Sequence, residues 1–291
     1  MSRVLILGGL GMLGHRLAIE LQQRHAVTVT IRGRADTLPH GYPAVGVIEE
    51  TDLGAMTSLP ELLERADCDV VVNAAGIIKH RMTPDTLSEA IAINAMLPQA
   101  LARHCTKFGM RLIHFSTDCV FSGLRNSVRG ADGYRLEDLT DARDTYGLSK
   151  LLGEPRHEGV LCLRTSLIGR ELRGHHGLVD WYLKQSAPEV DGFRQALFNG
   201  LSTHVAARLV DLLIREHADL DGLWHVASAP ISKFDFLGLL KARLPHTASI
   251  RPTDEPFCDR RLDGQAFALR TGWSAPPWDA MIDELLGQQG Q

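Results

Sequence analysis

The first fourteen residues constrain the fold of this chain more than any other stretch. Arg3-Val4-Leu5-Ile6-Leu7 is a short apolar run that passes directly into Gly8-Gly9-Leu10-Gly11-Met12-Leu13-Gly14, and Leu13, Leu17 and Leu21 then recur at i+4 spacing. The order is strand, turn, amphipathic helix. The first glycines allow a tight bend and close backbone approach to a pyrophosphate, and the last lets the helix pack closely on the strand. The helix N-terminus then turns unpaired N–H groups and a partial positive charge toward the phosphates. Leu10, Met12 and Leu13 stand between the glycines and belong to the same backbone cradle. A glycine-rich turn without a ligand is the bland alternative.

The alternation continues. Short apolar runs near 26–31, 45–48, 69–73, 111–116 and 160–164 read as further strands, and helical patterns cover 12–24, 57–66, 84–107 and 144–156. Strands and helices in alternation imply a parallel, doubly wound sheet. Val70-Val71-Val72 suits a strand buried on both faces. Beyond residue 165 the pattern loosens into Gly- and Arg-rich segments, an apolar stretch at 178–183, a helix after Ser202-Thr203, a strand at 223–226, a helix start at Ser232 and Asp235, proline-punctuated loops from Pro245 onward and a last helix near 279–287. The expected architecture is α/β: a Rossmann-type doubly wound parallel sheet in residues 1–165 and a smaller C-terminal substrate-binding lobe in 166–291, with segments such as 200–230 returning to the first domain.

Chemistry concentrates at strand ends. Tyr146 and Lys150 fall four apart within the helical stretch 144–156, which puts them on one face about one turn apart. A tyrosine with a free pKa of about 10 is a poor proton donor near neutrality, and a neighbouring ammonium favours the phenolate. Alone, such a pair reads as a solvated helix face. Thr117, after the strand at 111–116, and the glycine turn supply the context that makes it a reductive site. Arg32-Gly33-Arg34 follows the second strand, where an acid would hydrogen-bond an adenosine ribose 2′-OH and arginine accommodates a 2′-phosphate, so NADP(H) is the expected dinucleotide. Solvated loop charges are the alternative for this pair. Asp52-Leu53 lies in a loop expected beside the adenine, although Asp52 equally suits a helix N-terminus.

Composition excludes other classes. A net charge of −4 with both signs interspersed argues against nucleic acid or an anionic membrane as the main partner. No run approaches the roughly 18 apolar residues of a membrane span, and the N-terminus lacks a signal-peptide pattern, so the expected compartment is the cytoplasm. Cys68, Cys105, Cys119, Cys162 and Cys258 have no paired spacing and suit reduced thiols. The thirteen histidines form no ligand pattern, His175-His176 reads as a loop pair, and no metal is expected.

Taken with Asn73-Ala74-Ala75-Gly76, Asn94 within a helix and Ser116-Thr117-Asp118-Cys119-Val120-Phe121 after a strand, these motifs make the chain resemble the extended short-chain dehydrogenase/reductases, and among them the dTDP-4-dehydrorhamnose reductase branch of nucleotide-sugar enzymes. The resemblance covers roughly residues 1–230, and more loosely Arg261-Leu262-Asp263 and Gly272-Trp273. It implies NADPH-dependent reduction of a keto group, at C4 or similar, on a deoxysugar carried by a nucleoside diphosphate. By position, Thr117 would hydrogen-bond the carbonyl oxygen, Tyr146 deliver the proton, and Lys150 bind the nicotinamide ribose and tune Tyr146. Asp118 would assist proton delivery or merely form a turn. The resemblance also implies cofactor contacts at Asn73, Ala74, Ala75, Gly76, Asn94 and Ser116, with Arg164 and Thr165 near the nicotinamide. Sugar 4,6-dehydratases carry Thr-Asp-Glu where this chain has Thr117-Asp118-Cys119, so the acid needed for elimination is missing. The reductase branch often has tyrosine at Cys119, which leaves the sugar open.

Arg170, Arg173, Trp181 and Arg261 are the candidates for diphosphate, sugar-stacking and nucleoside contacts, arginine being suited to bidentate phosphate binding. Two other functions fit the same chain: an epimerase of this fold with a tightly held dinucleotide, and a non-catalytic NADP-binding sensor or scaffold. Intact Thr117, Tyr146 and Lys150 disfavour the sensor, which has no need of tuned acid chemistry. A homodimer is left open.

Overall fold

The computed structural model describes residues 1–124, 133–174, 176–244 and 247–287; His175, Pro245 and the tail at 288–291 lie outside the described residues. The chain divides into two compact units. Unit 1 comprises Met1–Thr117, Arg143–Leu163 and Ala206–Leu223, and unit 2 comprises Asp118–Ala142, Arg164–Val205 and Trp224–Gln291.

The first six strands are β1 (Arg3–Leu7), β2 (Ala26–Thr30), β3 (Gly46–Ile48), β4 (Val70–Asn73), β5 (Arg111–Phe115) and β6 (Val160–Arg164). They are followed by β7 (Leu167–Ile168), β8 (Glu189–Phe193), β9 (Ala196–Phe198), β10 (Leu201–Ser202), β11 (Gly222–His225), β12 (Ile231–Ser232), β13 (Ser249–Thr253) and β14 (Cys258–Asp259). One seven-stranded sheet has the order β11-β6-β5-β4-β1-β2-β3. β1 pairs in parallel with both β2 and β4, and β4 with β5 and β5 with β6 are likewise parallel. All four residues of β4 and all five of β6 are buried, as strands covered on both faces require. The core of unit 1 joins Leu5 and Leu7 of β1 to Val71, Leu112, Leu97 and Leu101.

The helices of unit 1 include α1 (Gly14–Leu21), α2 (Leu59–Ala66), α3 (Leu87–Ile91), α4 (Leu97–Phe108) and α5 (Thr145–Leu152). The helix expected over 84–107 is interrupted. A capping box of Thr83 and Thr86 opens the segment, α3 follows, and Ala92–Met96 widens into a π-helical turn before α4. Pro98 explains the break, since it has no N–H to donate to the carbonyl of Asn94, four residues earlier. α1 is shorter than the expected 12–24 because Leu10, Gly11 and Met12 form the turn itself.

In unit 2, β9 pairs antiparallel with β12 and parallel with β14, β8 with β13 and β7 with β10. Phe198, Phe236 and Trp278 meet edge to face at centroid distances of 5.4 to 5.8 Å and anchor its core.

Candidate functional site

The sheet order makes β1 the switch point. The chain runs outward through β1, β2 and β3, then starts again on the other side with β4, β5 and β6. Such a reversal leaves a crevice at the carboxyl ends of β1 and β4, and Gly8 and Asn73-Ala74-Ala75-Gly76 follow those two ends. Gly8 has φ of +84°, and a Cβ there would stand 3.1 Å from Ala75 Cα and 3.2 Å from its nitrogen. A Cβ on Gly14 would overlap the Gly8 carbonyl oxygen. The turn is held from outside by the Tyr42 hydroxyl, which donates to the Gly9 carbonyl at 2.8 Å. Burial raises that phenol to about 12. α1 follows Leu13 with no side-chain cap, and its His15 amide donates to the Gly11 carbonyl of the turn at 3.2 Å. This backbone cradle, closed to any side chain at Gly8 and Gly14, fits a dinucleotide pyrophosphate.

Beyond β2, Arg32 pairs with Glu89 at 2.7 Å and Arg34 with Asp36 at 3.5 Å, each arginine more than half exposed. Exposed pairs of this kind contribute about 0–1 kcal/mol. Asp52 accepts from the Gly54 amide at 2.8 Å in a local turn, well short of the start of α2, so it is not that helix's N-terminal acid. Leu53 packs against the core of unit 1.

Asn73 is fully buried; its side chain accepts from the Ala75 amide at 3.2 Å and contacts His114 Nδ1 at 3.1 Å. Asn94, in the π-helical turn, accepts from the Ile77 amide at 2.8 Å and donates to the Ile77 carbonyl at 2.9 Å and Ser149 Oγ at 3.1 Å. Both side chains therefore shape the loop after β4.

α5 brings Tyr146 and Lys150 to one face, Tyr146 half-buried and Lys150 buried. Asp144 caps the helix by accepting from the Gly147 amide at 2.8 Å and is bound by Lys79 at 3.0 Å. Lys150 Nζ donates to the Phe115 carbonyl at the end of β5 at 2.7 Å. That bond ties the Tyr146 helix to the strand end that continues into Ser116 and the buried Thr117. Burial pushes the Lys150 ammonium down to about 8, with Cys162 and Glu154 acting in the opposite sense. Ser116 Oγ donates to Glu154 at 2.6 Å. His114, wholly buried in β5, is held well below its usual range by burial and by the Lys150 charge, and its Nε2 has no hydrogen-bond partner.

In unit 2, buried Asp118 opens a one-turn 3₁₀ helix, with its carbonyl accepting from the Phe121 amide at 3.0 Å. Arg260 donates to the Phe121 carbonyl at 3.0 Å and approaches Cys119 Sγ at 3.6 Å. Arg164 is fully buried, 5.3 Å over the Phe121 ring and 3.3 Å from His225 Nε2, and Thr165 is buried beside it in sequence. His225 is lowered to about 3 by burial and the Arg164 charge. Arg170 is bound to buried Asp180 at 2.6 Å, and Arg261 grips Asp259 through two bonds of 2.9 and 2.6 Å. Two of the four expected substrate contacts thus already carry a buried carboxylate. Arg173 and Trp181 are exposed. A cavity of about 280 Å³ in this unit is lined by Asn199, Ser228, Phe267 and Trp273 among others, and by none of those four.

The residues that sequence reasoning passed over are Tyr42, His114 and Glu154. Only Glu154 had a usable signal: an acid four residues after Lys150, as Lys150 is four after Tyr146.

The chain is similar to the dTDP-4-dehydrorhamnose reductase of Mycobacterium tuberculosis, 36% identical over 136 residues covering 43% of this chain and 44% of that protein. It is similar to the spore coat polysaccharide biosynthesis protein SpsK of Bacillus subtilis, 28% identical over 53% of this chain and 47% of that protein. The chain spans about half the length of these curated relatives. Its fold is shared with the crystal structure of dTDP-4-dehydrorhamnose reductase from Bacillus anthracis in complex with NADP, at 19% identity and a TM-score of 0.81 over 99% of this chain and all of that one. A family model described as the RmlD substrate binding domain matches residues 2–287, and the chain belongs to that family.

Proposed function

We propose that this protein is an NADPH-dependent reductase of a keto group, at C4 or similar, on a deoxysugar carried by a nucleoside diphosphate. The observation that carries this reading is the bond from Lys150 Nζ to the Phe115 carbonyl, which fixes the Tyr146 helix to the strand end bearing Thr117. Family membership and the names of the similar reductases support it.

The Gly8–Gly14 turn and the start of α1 would hold the pyrophosphate, Asn73 to Gly76 and Asn94 would line the crevice, and Arg32 and Arg34 would exchange their surface carboxylates for a 2′-phosphate. NADPH supplies the hydride when bound. As the substrate carbonyl is reduced, negative charge develops on its oxygen, where the Thr117 hydroxyl donates and the Tyr146 hydroxyl delivers its proton. One of the three Lys150 ammonium protons is spent on Phe115; the others remain for a ribose hydroxyl and for holding positive charge beside Tyr146. Asp118 supports the turn that follows Thr117. Substrate phosphates would meet Arg173, with Trp181 offered to the sugar or base; Arg170 and Arg261 contribute mainly by fixing the surrounding loops.

The working compartment in this reading is the cytoplasm; among the described residues no helix is long and apolar enough to cross a membrane. Leu87 and Ile91 on α3, Met96, and Leu148 and Leu152 on α5 are exposed apolar side chains on neighbouring helices and support a homodimer, which light scattering would test.

The test is NADPH consumption against a panel of nucleotide-linked 4-ketosugars, with Tyr146→Phe alongside. Loss of one hydroxyl should lower turnover by about 10²–10⁴-fold with dinucleotide affinity nearly unchanged, and Thr117→Val should slow reduction in the same manner. Near-full turnover by Tyr146→Phe on a verified ketosugar would overturn the assignment.

A further inference from the structure

We infer that Glu154 is a positioning residue of the reductive site: its carboxylate clamps Ser116, next to Thr117, to the end of the Tyr146 helix and supplies the negative charge that keeps the buried Lys150 protonated. The inference rests on the reductase reading of Tyr146 and Lys150.

The geometry is specific. α5 ends at Leu152, and a Cβ on Gly153 would overlap the Asn94 carbonyl oxygen, so the chain there is pressed against the π-helical turn. Glu154 follows and is turned inward, 8% exposed. Its backbone is pinned by its own amide on the Leu151 carbonyl at 3.2 Å and by Gln99 Nε2, which donates to the Glu154 carbonyl at 3.2 Å and the Leu152 carbonyl at 2.9 Å. Its carboxylate accepts from Ser116 Oγ at 2.6 Å, while Ser116 is held in line with β5 by its amide on the Leu163 carbonyl at 2.8 Å. Two bonds therefore lock α5 to the segment 115–117: Lys150 to Phe115, and Ser116 to Glu154.

The groups acting on the Lys150 charge are Cys162 on β6 and Glu154 just beyond α5, His114 on β5 feels that charge, and Tyr146 lies one turn earlier on the same helix. His114 is kept neutral by burial, and Cys162 carries charge only as a thiolate. Glu154 is thus the group in this set that offers a negative charge without a cost in deprotonating a thiol or phenol. Glu154 acts on Lys150 in the sense that favours the ammonium, and an opposite charge within about 4–6 Å sustains a charged group against desolvation by about one to three pH units.

The variant that separates charge from clamp is Glu154→Gln, whose amide oxygen still accepts from Ser116. Its effect is read on Lys150 directly, by following lysine ¹³Cε shifts against pH in ¹³C-lysine-labelled protein; the chain has six lysines, and Lys150→Met assigns the resonance. The Lys150 midpoint should fall by about one unit or more in Glu154→Gln and return toward the wild-type value in Glu154→Asp. The alkaline limb of ketosugar turnover should move acidward by the same interval. A wild-type midpoint in Glu154→Gln would overturn the inference. Should that variant fail to fold, Ser116→Ala keeps the carboxylate and removes its anchor. It should lower turnover with little change in dinucleotide affinity and displace the midpoint by less; wild-type turnover and midpoint together would overturn the inference. The titration needs no substrate, so a midpoint shift without any ketosugar turnover upholds the Lys150–Glu154 coupling while removing the reductase reading.

Discussion

Lys150 shows how one residue is asked to do two opposed things. In the proposed reaction its ammonium must stay charged to act on Tyr146, yet it is buried, and burial lowers its pKa from 10.5 to about 8. The folded value lies below the unfolded one, so between about pH 8 and 10.5 the unfolded chain binds a proton that the native state does not. Over that window the group makes stability rise with pH, and below it the buried charge is a cost. The difference in unfolding free energy between wild type and Lys150→Met should therefore move in favour of wild type by about 1.4 kcal/mol per pH unit above pH 8, measured by urea unfolding at several pH values. Turnover should run the other way and decline through about pH 8, as the ammonium is lost. A turnover profile flat to pH 10 would exclude a role for the charged lysine. The i+4 relation of Tyr146 and Lys150 was legible because a helix encodes it locally; the bond from Lys150 to the Phe115 carbonyl, 35 residues away, was not.

At the scale of elements, the strand-turn-helix opening behaves as its glycines demand. A Cβ at Gly14 would collide with the backbone of Gly8, which no rotamer change can relieve. Gly14→Ala should cost about 1–3 kcal/mol and weaken dinucleotide binding together, readable as a lower melting temperature and a weaker fluorescence titration. At the end of β2 the prediction is selective. Arg32→Glu with Arg34→Glu should weaken NADPH and leave NADH little changed, because only the 2′-phosphate separates the two ligands. Equal or tighter NADH binding by the wild-type protein would remove the NADP assignment. Helix 84–107 marks where local pattern reading stops. Its apolar periodicity is continuous, but Pro98 removes one backbone donor, and Asn94 then occupies a π-helical turn from which its side chain holds Ile77 and Ser149.

At the scale of the whole molecule, the arginines of unit 2 divide by what they are bound to. Arg170→Ala would take the guanidinium from the buried Asp180 carboxylate, which also accepts from the Glu171 amide, and should cost about 1–3 kcal/mol in urea unfolding. Arg173→Ala, at an exposed position, should stay within about 0.5 kcal/mol. Equal losses from both would mean that the Arg170–Asp180 pair is not a structural element. By itself the sequence determined the strands of the seven-stranded sheet, the glycine turn at the end of β1 and the shared face of Tyr146 and Lys150. Each of these is written in periodicity or spacing over fewer than about twenty residues, which local backbone geometry converts directly into structure. Only the tertiary structure decided that Arg170 and Arg261 are matched by Asp180 and Asp259, and that residues 118–142 cluster with unit 2. It likewise decided that Glu154 reaches Ser116 across 38 positions of chain. Such partners are chosen by which side chains packing buries together, and a buried charge or hydroxyl must find its counterpart wherever the fold has placed one.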